Sequence, residues 1–159
     1  ALGSDVPFLT TTAPWALAWG RGERLLAIAP LQSRPVVLAL PPFGVATGSA
    51  YDWLAGTRVH QGPQPALLTL EALRSWEHVT ALATNDFEPV VCQRHPLLAT
   101  IIAQLRRAGA ACATISGSGS TVFGIFAEAP DGDLLQQTLG VPVIPTQTLE
   151  RLEPVAVMA

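Results

Sequence analysis

Apolar residues along the chain follow two periods in turn. Short apolar runs at 15–19, 25–28 and 36–40 are strand-like, and Gly20-Arg21-Gly22 and Ser33-Arg34-Pro35 between them predict a three-stranded meander. Helical spacing then takes over. Residues 47–54 have helical character, Leu67, Leu70, Leu73 and Trp76 recur at helical spacing within 65–78, and 85–91 begins another short helix. The stretch 56–65, rich in Gly, Pro and Gln, reads as an exposed connection of little chemistry. The clearest helix is 96–108. There Leu97, Leu98, Ile101, Ile102 and Leu105 form one stripe, Pro96 suits the first turn and Gly109 the position past the end. Arg106 and Arg107 complement the negative end of its dipole. Beyond it, 111–115 and 121–126 read as strands joined by Ser116-Gly117-Ser118-Gly119-Ser120, and a helix at 133–139 and a strand at 141–144 complete an α+β pattern without internal repeats.

Composition narrows this picture. A chain of 159 residues suits one domain of ordinary size. Only 13% of it is charged, against roughly 25% in an average soluble protein. Its surface is therefore expected to be apolar, covered by another domain, another subunit or an earlier part of the same chain, or else prone to self-association. The apolar runs, broken by Pro30, Pro41 and Pro42, fall short of the roughly 20 residues that cross a bilayer, so no membrane role is expected. A net charge of −3 without a basic run argues against nucleic acid as a partner. Cys92 and Cys112 fit reduced thiols of a cytoplasmic protein better than a disulfide or zinc framework, and His60, His78 and His95 share no metal-ligand spacing. No metal site is read. The opening Ala1-Leu2-Gly3-Ser4-Asp5, with no initiator Met, basic leader or apolar signal core, reads as a cut or processed N-terminus. Lysine is absent, so no chemistry of this chain can use an ammonium side chain.

Four places carry candidate chemistry. In the loop Ser116, Gly117, Ser118, Gly119 and Ser120, two glycines let backbone N–H groups converge and three hydroxyls add donors, which suits a phosphate. A plain tight hairpin is equally compatible. The loop joins strand to strand and lacks a Gly-Lys-Ser/Thr ending, so it is neither a Walker motif nor a dinucleotide fingerprint. Asp5 sits between a glycine and the X-Pro restriction of Val6-Pro7, as a positioned base in phosphoryl transfer requires, although capping a turn is the simpler use. Thr47 and Tyr51 lie one helical turn apart, so one pocket can receive a hydroxyl and a ring able to stack on a flat ligand, with core packing the plainer role. Asn85-Asp86-Phe87-Glu88-Pro89 reads as structural, a helix start capped by Asn85 or Asp86.

Taken together, Leu2-Gly3-Ser4-Asp5-Val6-Pro7-Phe8, Gly20-Arg21-Gly22-Glu23, Thr47-Gly48-Ser49-Ala50-Tyr51, Asn85-Asp86-Phe87-Glu88-Pro89 and Ile115-Ser116-Gly117-Ser118-Gly119-Ser120-Thr121-Val122-Phe123-Gly124 resemble, in order and spacing, the diphosphocytidyl-methylerythritol kinases of the GHMP superfamily. The resemblance implies ATP and Mg²⁺ as cofactors of an intact enzyme that phosphorylates the 2-hydroxyl of a cytidine-diphosphate-bearing substrate in isoprenoid synthesis. It casts Asp5 as the base, Tyr51 with Thr47 as the cytosine site, and residues 116–120 as the third family motif beside the phosphates. Residues 1–30 would close an N-terminal catalytic domain, and 31–159 would form a ferredoxin-like C-terminal domain. The family's lysine-bearing motif and main phosphate loop are not in this sequence, so the chain alone is expected to be inactive. Homoserine and mevalonate kinases are the near alternatives, and a non-catalytic binding or assembly module the distant one.

Overall fold

Residues 3–57 and 68–152 are described by the computed structural model, and their strands sort into two sheets rather than one meander. Strands β1 (Ala16–Trp19) and β2 (Arg24–Ala27) pair antiparallel as a hairpin. The third strand of the expected meander, β3 (Pro35–Ala39), leaves them. It becomes an inner strand of a four-stranded antiparallel sheet with β4 (Cys112–Ile115), β5 (Val122–Ile125) and β6 (Val143–Gln147), in the order β4-β5-β3-β6. Burial explains the switch: Val36, Val37 and Ala39 are buried, whereas β1 and β2 contain no fully buried residue.

The helices fall between these strands in a β-α-β-β-α-β succession. They comprise α2 (Thr47–Thr57), α3 (Trp76–Leu82), α4 (Glu88–Arg94) and α5 (Pro96–Arg107) before β4, and α6 (Gly132–Leu139) before β6. With the strand order, this is the ferredoxin-like arrangement. A single helical turn, α1 (Val6–Leu9), precedes the hairpin. Leu98, Ile101 and Leu105 of α5 are fully buried against the sheet, whose Val37, Ile115 and Val122 are equally dry. Each such side chain contributes about 1.5–3 kcal/mol of burial. Leu97, placed on the same stripe from the sequence, lies at its border and stays exposed.

Three element readings are corrected. The helix expected over 65–78 is broken: the described part holds a 3₁₀ turn at Leu70–Arg74, then extended Ser75, then α3. Thr69 caps the 3₁₀ turn and Ser75 caps α3, their side chains accepting from the N–H groups of Ala72 and His78, so two starts interrupt one period. Leu67 and most of the 56–65 connection, with His60, lie outside the described residues. The helix expected from 85 begins at Glu88, because Asn85 folds into a turn in which its Oδ1 accepts from the Phe87 N–H. The last strand runs later than 141–144. It takes in Pro145, which an edge strand tolerates although it offers no N–H.

Two long-range contacts of Trp15 seat the hairpin region on the domain, and two of Trp76 hold the connection that follows β2. Trp15 donates from Nε1 to the Leu149 carbonyl at 2.8 Å and meets the Trp76 ring edge-on at 5.2 Å. Trp76 donates to the Gln32 carbonyl at 2.7 Å, and the Arg34 guanidinium lies over its ring.

Candidate functional site

Two glycine-bearing loops flank the start of α2. The loop at 116–120 links β4 to β5 and closes on itself: the Gly119 N–H donates to Ser116 O at 2.9 Å, and the Ser116 N–H donates to Thr121 O at 2.8 Å. Gly117 and Gly119 both take positive φ, at 56° and 89°. Among the described residues, no acceptor partners the N–H groups of Gly117 and Ser118, so the turn is a hairpin with spare donors.

Three neighbours brace this loop. The Asn85 amide donates to the carbonyls of Ile115 and Gly117, both at 2.9 Å. Ser120 donates its hydroxyl to Phe43 O, and the Phe43 ring stacks on His95 at 4.7 Å. Thr47, the first residue of α2, shares a 3.2 Å hydroxyl hydrogen bond with Ser118. Thr47 and the glycine loop are thus in contact. Tyr51 stands one turn further along α2, 59% exposed, with its ring perpendicular to Phe87 at 4.9 Å. Its ring meets the domain through this edge contact and is otherwise mostly exposed.

Asp5 belongs to the other loop. It precedes α1 with an exposed side chain that caps no N–H, and among the described residues no hydrogen bond or ion pair ties it to Tyr51 or the glycine loop. Its neighbours Gly3, Ser4 and Val6, the Gly20, Arg21, Gly22 and Glu23 turn, and Tyr51 all line one cleft of about 810 Å³. Gly22 makes that junction. At φ +88° it packs so closely on the Ser4 carbonyl that a Cβ would collide with it.

Local pattern gives Asn85, the chain's only asparagine, no role beyond a cap. Its donors reach residues 30 and 32 positions away, which no local pattern predicts. Glu88 gains a role in the same way. Its carboxylate accepts from the Thr114 hydroxyl at 2.5 Å and faces Arg106 at 3.8 Å. Arg106 in turn donates to the Ala113 carbonyl at 2.8 Å. Cys112 is buried and Cys92 half-buried, both free. Burial pushes both thiols up; at Cys92 Glu88 adds to this and Arg106 opposes it, and at Cys112 the Arg106 effect outweighs that of Glu88. A raised pKa lowers the thiolate fraction that carries cysteine reactivity. No group of three or more His, Cys, Asp or Glu side chains gathers among the described residues, and no helix there is long and apolar enough to cross a membrane.

The sequence profile described as GHMP kinases C terminal matches residues 68–140, a span that runs from the 3₁₀ turn through Asn85 and the glycine loop to the end of α6. The chain carries a GHMP kinase C-terminal domain. Over 125 residues it is 43% identical to the 4-diphosphocytidyl-2-C-methyl-D-erythritol kinase of Citrifermentans bemidjiense, covering 79% of this chain and 43% of that protein. The Pelotomaculum thermopropionicum protein of the same name is 38% identical over 128 residues, with 80% and 44% covered. A crystal structure of 4-(cytidine 5'-diphospho)-2C-methyl-D-erythritol kinase superposes with a TM-score of 0.68 at 30% identity, covering 92% of this chain and 53% of its own. Homoserine kinase from Cytophaga hutchinsonii, at TM-score 0.56 and 14% identity with 91% of this chain and 50% of its own covered, shares the fold alone. The chain spans about 43% of the length of the first of these curated relatives.

Proposed function

We propose that this chain is the substrate-side part of an ATP-dependent kinase that phosphorylates the 2-hydroxyl of 4-diphosphocytidyl-2-C-methyl-D-erythritol. One observation carries the reading: an exposed tyrosine, unneeded for the core, shares a cleft with the segment that bears Asp5. In this reading Tyr51 stacks on the cytosine ring, beside Thr47. The loop of Ser116, Gly117, Ser118, Gly119 and Ser120 offers its spare N–H groups to phosphate oxygens. The substrate hydroxyl oxygen bonds to the γ-phosphorus as the bond to ADP breaks, ADP leaves with that electron pair, and the hydroxyl proton passes to the Asp5 carboxylate. An exposed carboxylate suffices, since the proton moves late and needs little basicity to draw it off.

The residues fit phosphate better than they fit a metal. The glycine loop presents N–H and hydroxyl donors, which suit phosphate oxygens, and Mg²⁺ is an ion commonly carried on the phosphates of ATP. It would neutralise charge on the transferring group. We assign residues 1–30, with the hairpin and its exposed Trp19 and Leu26, to the end of a catalytic domain, and 31–159 to the GHMP C-terminal domain. The test is a protein containing this chain, assayed with ATP against the cytidyl substrate and against homoserine. Phosphorylation of the cytidyl substrate, with KM raised in Tyr51→Ala, is the expected result. Turnover of homoserine with no reaction on the cytidyl substrate sinks the assignment.

A further inference from the structure

We infer that the Asn85-Asp86-Phe87-Glu88-Pro89 segment couples the two ends of the ligand site, with Asn85 and Phe87 as positioning residues. The inference rests on the proposed reading of Tyr51 as the base-stacking ring and of the glycine loop as the phosphate seat. The segment touches both. Through its amide, Asn85 holds the carbonyls of Ile115 and Gly117, at the entry and the interior of the loop. Through its Oδ1, the same side chain holds the Phe87 N–H at 2.9 Å and so fixes the backbone that carries the Phe87 ring. That ring sets the edge against which Tyr51 stands.

One asparagine side chain therefore uses both donors and its acceptor to tie loop, turn and aromatic pair into one unit. The base of this unit is firm. Glu88 fastens the first turn of α4 to β4 through Thr114, one residue before Ile115, so the segment cannot shift without moving the loop's entry strand. A second tie runs through α2, where Thr47 meets Ser118 one turn before Tyr51. Occupation of either end should then stiffen the other, and such coupling is reciprocal in binding free energy.

The test uses the chain's single tyrosine, which gives one ring signal when tyrosine is isotope-labelled. Asn85→Asp keeps the acceptor for the Phe87 N–H but removes both donors to the loop. We expect amide exchange at Gly119 to rise about tenfold, as loss of a hydrogen-bond brace allows. The Tyr51 ring signal should be displaced in the same variant. In the wild-type chain, pyrophosphate should tighten cytidine binding by about fivefold or more, and in Asn85→Asp this factor should fall to about one. A Tyr51 signal that stays in place while loop protection is lost overturns the coupling. If Asn85→Asp does not fold, Phe87→Leu reads the unit from the other side. It should displace Tyr51 and also speed exchange at Gly119, and an undisturbed loop overturns the inference. Should the wild-type chain bind neither probe, the proposed function loses its support, while the ligand-free Tyr51 and Gly119 signals still decide the coupling.

Discussion

The two glycine-serine loops are alike in composition and opposite in construction. Loop 116–120 stands on the buried strand β4 and the partly buried β5 and is braced by Asn85, Thr47 and the Phe43 carbonyl. Among the described residues, the segment Gly3-Ser4-Asp5 has no such frame. It rests on the β1–β2 turn through one close approach at Gly22 and leaves its carboxylate exposed. A binding loop gains from rigidity, because preorganised donors cost nothing to align when the anion arrives. If Asp5 is the proposed proton acceptor, a free side chain at the end of a short segment lets it follow the hydroxyl as the oxygen bonds to phosphorus.

Substitutions on each side sharpen this contrast, and the largest effect is expected at Asp5. In a kinase containing this chain, Asp5→Asn should lower kcat by about 10²–10⁴-fold and leave the urea midpoint unchanged. Unaltered turnover removes Asp5 from the chemistry. On the braced side, Ile115→Ala should cost about 2–5 kcal/mol of global stability, because Ile115 is fully buried beneath the loop. Equilibrium urea unfolding reads this directly. Gly22→Ala should act locally, costing about 1–3 kcal/mol at the hairpin through its positive φ and the clash with Ser4. Trypsin cleavage after Arg21 should accelerate while the global midpoint holds; a parallel drop in both would make the hairpin part of the core.

The smallest effect concerns pH. A thiol whose folded pKa exceeds its unfolded one holds its proton more tightly in the fold. Its stabilisation is therefore complete below the unfolded thiol range, near roughly pH 8.5, and is lost as pH rises through the elevated folded value. Cys92 and Cys112 both shift upward. The unfolding midpoint should be flat at neutral pH and decline in alkali, a slope that Cys92→Ser combined with Cys112→Ala removes. A midpoint that rises with alkali contradicts the burial of these thiols.

How much of this was legible depended on how local each cause was. The α5 stripe, with Pro96 at its start and Gly109 at φ +96° past its end, was readable because each signal lies within a turn of its effect. The departure of β3 from the hairpin was not, since its partners Val122–Ile125 and Val143–Gln147 lie about a hundred residues away. Thr69 and Ser75 are capping residue types, but the reading of 65–78 rested on the apolar period alone, and that period runs unbroken through both caps. At the site, Thr47, Tyr51 and the glycine loop were all noticed from residue type, and the hydroxyl contact between Thr47 and Ser118 joins two of them. Asn85 escaped because its value lies in two carbonyls of another strand and its loop.

Those carbonyls have a further consequence. Strand β4 is the outer strand of the sheet, and an uncovered outer strand is a template on which another chain can add itself. Here Ala113 O is occupied by Arg106 and Ile115 O by Asn85, while the opposite border strand carries Pro145. The four-stranded sheet is stopped at both margins. The side chain that steadies the glycine loop thus also occupies an edge carbonyl that a further strand would need, and an Asn85 variant should be watched for fibrils as well as for lost affinity.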